Sequence, residues 1–80
     1  MKNRSNIEVI GQILQVANGR DATKTEIMYQ AFLSYNQMKR HLELLTERDL
    51  LHYDEDTQTF KTTEKGLRFL QVYKRIDGMI

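Results

Sequence analysis

Near the start of the chain, Ile7, Ile10, Leu14 and Ala17 recur at helical spacing, with Ile13 on the flank. The pattern predicts an amphipathic helix from about Ile7 to Asn18. Ser5 or Asn6 can cap its start by accepting a hydrogen bond from a free backbone amide. Asn18-Gly19 ends it, because glycine takes the left-handed conformation that a helix terminus needs. Arg20-Asp21-Ala22 is then a short connector, long enough for one extended bridge to a later strand.

Thr23-Lys24-Thr25-Glu26 has the form of a capping box, a hydroxyl followed three residues later by a carboxylate. It opens a second helix carrying Ile27, Met28 and Ala31. A further box follows at once in Ser34-Tyr35-Asn36-Gln37, with only Phe32 and Leu33 between Ala31 and the new cap. A turn that short makes two helices cross steeply instead of lying antiparallel, which is the helix-turn-helix arrangement. The third helix runs to about Arg48. Met38, Leu42 and Leu45 share its inner face with Tyr35 beside them, while Asn36, Lys39, Arg40, Glu43 and Glu47 occupy the opposite face.

Two strand-like runs follow, Leu50-Leu51-His52-Tyr53 and Thr59-Phe60-Lys61-Thr62, separated by the polar, turn-prone Asp54-Glu55-Asp56-Thr57-Gln58. Thr63 caps a last helix with Glu64 in its first turn. Leu67, Leu70, Tyr73 and Ile76 form one stripe on that helix, and Phe69, Val72 and Ile80 broaden it beyond what one small core requires. The expected fold is mainly α with a small β-hairpin (α+β), a winged helix-turn-helix with a C-terminal helix. Residues 1–63 form the winged domain, and residues 64–80 form a helix suited to dimerisation. Gly11 and Gly66, both inside helices, are expected to permit close packing.

Composition adds few constraints. Eighty residues make one domain with a single small core. An apolar share of 40% and a charged share of 29% are ordinary for a globular chain. No apolar run is long enough to span a bilayer, and Met1-Lys2-Asn3-Arg4-Ser5-Asn6 leads into an amphipathic pattern, not a signal-peptide core. No membrane partner is expected, and the cytoplasm, with the nucleoid, is the expected location. Absence of cysteine excludes a disulfide framework and thiolate metal sites. Net charge is only +1, so a nucleic-acid site has to come from local clustering of charge.

Several segments together resemble the small archaeal winged helix-turn-helix proteins: Thr25-Glu26-Ile27-Met28-Tyr29-Gln30-Ala31, Leu33-Ser34-Tyr35, Leu42-Glu43-Leu44-Leu45, Leu50-Leu51, and Thr62-Thr63-Glu64-Lys65-Gly66 with Phe69-Leu70 and Tyr73. The likeness covers nearly the whole chain. The Leu-Ser-Tyr turn and the Thr-Thr-Glu-Lys-Gly start of the last helix are its most distinctive parts. The resemblance implies a DNA-binding winged helix, often dimeric through its C-terminal helix. Some relatives are chromatin-like and others are transcription regulators.

A recognition helix offers the side chains of its first turns to DNA. Here these are Tyr35, Asn36, Gln37, Lys39 and Arg40. Asn36 and Gln37 have the amide geometry to read adenine, and Arg40 can fork onto guanine. Lys39 and Arg40 can equally contact phosphate. Gln37 is either a reader or only the partner in its capping box, and Tyr35 is either a reader or part of the core. Lys24 and Thr25 open the second helix, where phosphate can meet both a side chain and a helix N-terminus. Lys61 at the hairpin base is a backbone-contact candidate, while Asp54, Glu55 and Asp56 at its tip oppose phosphate. Lys2, Arg4 and Arg20 are further phosphate candidates. Double-stranded DNA is the expected partner of a homodimer whose interface would use Phe69, Val72, Tyr73, Ile76 and Ile80.

No enzyme, cofactor or metal reading emerges. His41 flanks the inner face of the third helix and suits packing. His52 lies in a strand beside an acidic turn, and the two histidines match no ligand spacing. The glycines are isolated, with no phosphate-cradling loop among them. The rival reading is a winged helix that docks on another protein in a transcription or assembly complex. The acidic hairpin tip and near-neutral charge favour it; the Lys39-Arg40 pair favours DNA.

Overall fold

Three capping boxes set where the first three helices begin. The computed structural model describes residues 5–79, with side chains through residue 76. Its elements are α1 (Asn6–Val16), α2 (Lys24–Gln30), α3 (Tyr35–Glu47), β1 (Leu51–Asp54), β2 (Thr59–Thr62) and α4 (Glu64–Met79). Ser5 caps α1, and its hydroxyl accepts from the Glu8 amide at 3.2 Å while the Glu8 carboxylate accepts from the Ser5 amide. Thr23 with Glu26 and Ser34 with Gln37 repeat the same reciprocal pair at α2 and α3. Each box satisfies two backbone donors that a helix start otherwise leaves open.

α2 and α3 also end alike. The Leu33 amide donates to the Met28 carbonyl at 2.9 Å and the Phe32 amide to the Tyr29 carbonyl at 3.3 Å. At the end of α3, Leu50 donates to Leu45 and Asp49 to Thr46. This crossed pair of bonds closes a helix with one left-handed residue just past its end. That residue is Phe32 after α2 (φ 54°) and Asp49 after α3 (φ 62°). The chain reverses sharply at Phe32, and α3 starts two residues beyond Leu33.

β1 and β2 pair antiparallel, with Leu51 opposite Thr62 and Tyr53 opposite Phe60. The Tyr53 and Phe60 rings lie 4.7 Å apart, centroid to centroid. Ala22 makes the expected extended bridge, exchanging two backbone hydrogen bonds with Phe60 at 2.9 and 2.7 Å. The core lies between α1, α2, α3 and the hairpin, around Ile13, Leu14, Ile27, Met38, Leu45 and Leu51, all essentially inaccessible to solvent.

The buried face of α1 differs from the expected stripe. Ile13 is fully buried, not flanking, Val9 and Gly11 are buried, and Ile7 is 55% exposed with Ile10 half-buried. The cause is α4, which packs along α1 and lays the Tyr73 ring over Gly11. Burial on this second side turns the enclosed face towards Val9 and Gly11. β1 likewise starts at Leu51, because Leu50 is spent on the closure of α3.

The start of α4 is tied to α1 and to the end of α3 by side-chain hydrogen bonds. Thr63 caps α4, with its hydroxyl accepting from the Gly66 amide at 3.0 Å and donating to the Asp49 carbonyl at 2.7 Å. Thr62 donates through its hydroxyl to the Leu14 carbonyl of α1 at 2.7 Å. Lys65 reaches the Arg48 carbonyl at 3.0 Å. A Cβ on Gly66 would lie 2.3 Å from the Leu50 carbonyl oxygen, so only glycine fits that approach. The Thr-Thr-Glu-Lys-Gly run therefore binds α1, the end of α3 and the hairpin to one helix start.

Candidate nucleic-acid interface

The short α2–α3 junction leaves one face of α3 in solvent. Asn36, Lys39 and Arg40 stand exposed on its first turns. Lys39 lines a groove of about 590 Å³ with Lys24, Tyr35 and Tyr53, on the hairpin side of α3. Arg40 lines a smaller hollow of about 300 Å³ with Asn6, Ile10 and Leu44, on the α1 side. The two cations thus sit on opposite flanks of the same ridge. Among the described residues, neither forms an ion pair with a carboxylate. Further along the ridge Glu43 and Glu47 are exposed, so α3 is basic in its first half and acidic in its second.

The remaining candidates divide clearly. Tyr35 is 58% exposed at the rim of the groove, outside the core. The Gln37 side chain turns back to accept from the Ser34 amide at 2.9 Å, completing the α3 capping box. Lys24 and Thr25 are exposed at the start of α2, and Lys24 shares the groove with Lys39. Lys61 is exposed on β2 opposite His52, remote in the chain from the α3 cluster. Arg20 pairs with Glu26, which compensates its charge. The Glu26 carboxyl is held below the ordinary glutamate value by the Thr23 backbone N–H and, after it, by Arg20. Lys2, Arg4 and Ile80 lie outside the described residues.

At the hairpin tip the Asp54 carboxylate accepts from the Asp56 amide at 2.9 Å, which fixes a tight acidic turn. His41 is half-buried, and its Nδ1 lies 2.8 Å from the Gln37 carbonyl, a bond internal to α3. No group of three or more potential metal ligands occurs among the described residues. No helix among them is long and apolar enough to cross a membrane. On α4, Phe69 and Tyr73 are half-buried against the chain's own core, while Val72 and Ile76 are 54% and 53% exposed.

Sequence reasoning passed over two surface aromatics that precede α3 in the chain, Tyr29 at 70% and Phe32 at 78% exposed. Their signal was present. Neither lies on the Ile27–Ala31 stripe of α2, so neither had a place in the core.

A helix-turn-helix completed by an antiparallel hairpin and a closing helix defines the class. The chain belongs to the winged helix-turn-helix family, whose pattern it matches over residues 3–80. Among solved structures it is similar to Sso10a-2, a DNA-binding protein from Sulfolobus solfataricus, at 19% identity and a TM-score of 0.85. That match covers 95% of this chain and 81% of the other. It is also similar to Lactococcus lactis ZitR, at 14% identity and a TM-score of 0.70, over 94% of this chain and 52% of that one. No curated protein matched the chain.

Proposed function

We propose that the chain binds double-stranded DNA through the first turns of α3, as a transcription regulator or nucleoid-associated protein, in the form of a homodimer paired through α4. The observation that carries this reading is the exposed pair Lys39 and Arg40, in no ion pair among the described residues, on the face of α3 that the fold leaves in solvent. Asn36 stands beside them as a base-reading amide, and Lys24 adds a cation across the groove. The same fold in a protein described as DNA-binding supports the reading. Near-zero net charge makes this local cluster the source of phosphate affinity. Replacing Lys39 and Arg40 together by Ala should weaken duplex binding and flatten the dependence of log affinity on log salt by ~2 units, one per lost phosphate contact. Gel shifts across a salt series measure this. Unchanged affinity and slope in a folded double variant would remove α3 as the reader.

The acidic hairpin tip favours a second reading, in which the wing docks on a basic protein surface. A salt-dependent gel shift of the parent with duplex DNA separates the two, and neutralising Asp54, Glu55 and Asp56 to Asn, Gln and Asn tests the wing. If the wing only tolerates DNA, the triple variant should bind duplex as well as the parent, or better. Weaker DNA binding by a folded triple variant would give the acidic tip a positive role and count against this account of the wing.

A further inference from the structure

Phe32 occupies a position that glycine normally holds. It is the left-handed residue just past the end of α2, at φ 54°, where a side chain crowds its own backbone and Gly or Asn is the usual occupant. Leu33 is buried and Ser34 caps α3, so both neighbours have clear structural roles. At Phe32, by contrast, 78% of the surface remains in solvent. A bulky residue kept in a strained, exposed place points to a function for its side chain. The chain has seven aromatic residues. Tyr53, Phe60, Phe69 and Tyr73 pack within the fold, while Tyr29, Phe32 and Tyr35 lie exposed within one seven-residue stretch. That stretch leads directly into the Lys39–Arg40 ridge.

We propose that Phe32, with Tyr35, contacts thymine C5-methyl groups on the major-groove floor and so sets a preference for A·T-containing sites. This rests on the duplex-DNA reading of α3. Phe32 and Tyr35 flank Ser34, the cap at the end of α3 that a recognition helix presents to the groove. The cations on the following turn complement the phosphates, and the apolar feature that a major groove offers an aromatic ring is the thymine methyl. Continuity with the basic ridge favours DNA over a protein as the partner of these rings.

The test compares an alternating A·T duplex with the same duplex in which every thymine is replaced by uracil, which removes only the methyl. The parent should bind the thymine duplex more tightly by about fourfold for each methyl it covers. A G·C duplex carrying 5-methylcytosine should likewise be bound more tightly than its unmethylated form. Phe32→Asn suits the left-handed turn, so it should fold with Tm higher by ~4 °C and should lose most of the thymine preference. Phe32→Gly should do the same. The Lys39→Ala, Arg40→Ala variant should keep the preference at reduced affinity. Equal binding of thymine and uracil duplexes by the parent, or an undiminished preference in Phe32→Asn, overturns the methyl-contact proposal and leaves the duplex reading standing. A lower Tm in both Phe32 variants makes the ring a packing residue and overturns it too. Absence of salt-dependent duplex binding by the parent overturns the reading on which it rests, and the proposal with it.

Discussion

Lysines in place of Val72 and Ile76 should leave a folded monomer that holds duplex DNA roughly a hundredfold less tightly. Both side chains are about half exposed on α4 and lie four residues apart, hence on one side of the helix. The chain's own core does not depend on them. Leu70 is buried instead, and Phe69 and Tyr73 pack inward. In a dimer through α4, each substituted ammonium would have to lose its water against an apolar surface, a cost of several kcal/mol. Loss of pairing removes the second recognition helix, and with it the avidity that two linked contacts provide. Sedimentation and circular dichroism together separate a folded monomer from an unfolded chain. A monomeric parent, at concentrations well above those used for DNA binding, would sink the dimer.

Gly66→Ala should destabilise the fold by about 3 kcal/mol, lowering Tm by roughly 15 °C. An alanine in a helix ordinarily gains about 1 kcal/mol over glycine. Here the added Cβ would stand 2.3 Å from the Leu50 carbonyl oxygen and 2.7 Å from the Thr62 side chain. That carbonyl cannot swing aside, because it accepts the Thr63 amide at 3.1 Å. Gly11→Ala provides the contrast. Its Cβ would meet the half-buried Tyr73 side chain at 2.6 Å, not a hydrogen-bonded backbone carbonyl. The expected loss there is nearer 1 kcal/mol. Thermal melts of the two variants, measured side by side, check the order. A Gly66→Ala variant within a few degrees of the parent would contradict the close-approach account.

What could be read from the chain was what short-range chemistry decides. The Thr23–Glu26 and Ser34–Gln37 boxes form because hydroxyl, carboxylate and amide lie three residues apart, whatever the rest of the fold does. The buried stripe of Met38, Leu42 and Leu45 follows from period alone. The exposed ridge of Asn36, Lys39 and Arg40 is its complement. What depended on distant partners was harder to see. The turned face of α1 is set by Tyr73, more than fifty residues away along the chain. Arg20 read as an available cation because its pairing with Glu26 needs the intervening turn to bring the two together. The left-handed Phe32 was hidden for a different reason. Sequence rules expect glycine or asparagine there, and a phenylalanine gives no warning of such a backbone.

The knot of bonds at Thr62, Thr63, Lys65 and Gly66 has a mechanical consequence. The last turn of α3 and the first turn of α4 share it, so no hinge separates the reading helix from the helix proposed to pair two copies. A dimer built this way would behave as a stiff caliper. Each base pair added between half-sites rotates one target by roughly 35° about the DNA axis. With no soft joint in the protein to follow that rotation, the duplex would have to twist or bend instead. Spacing between half-sites would then be discriminated through the stiffness of DNA itself, at base pairs the protein never touches.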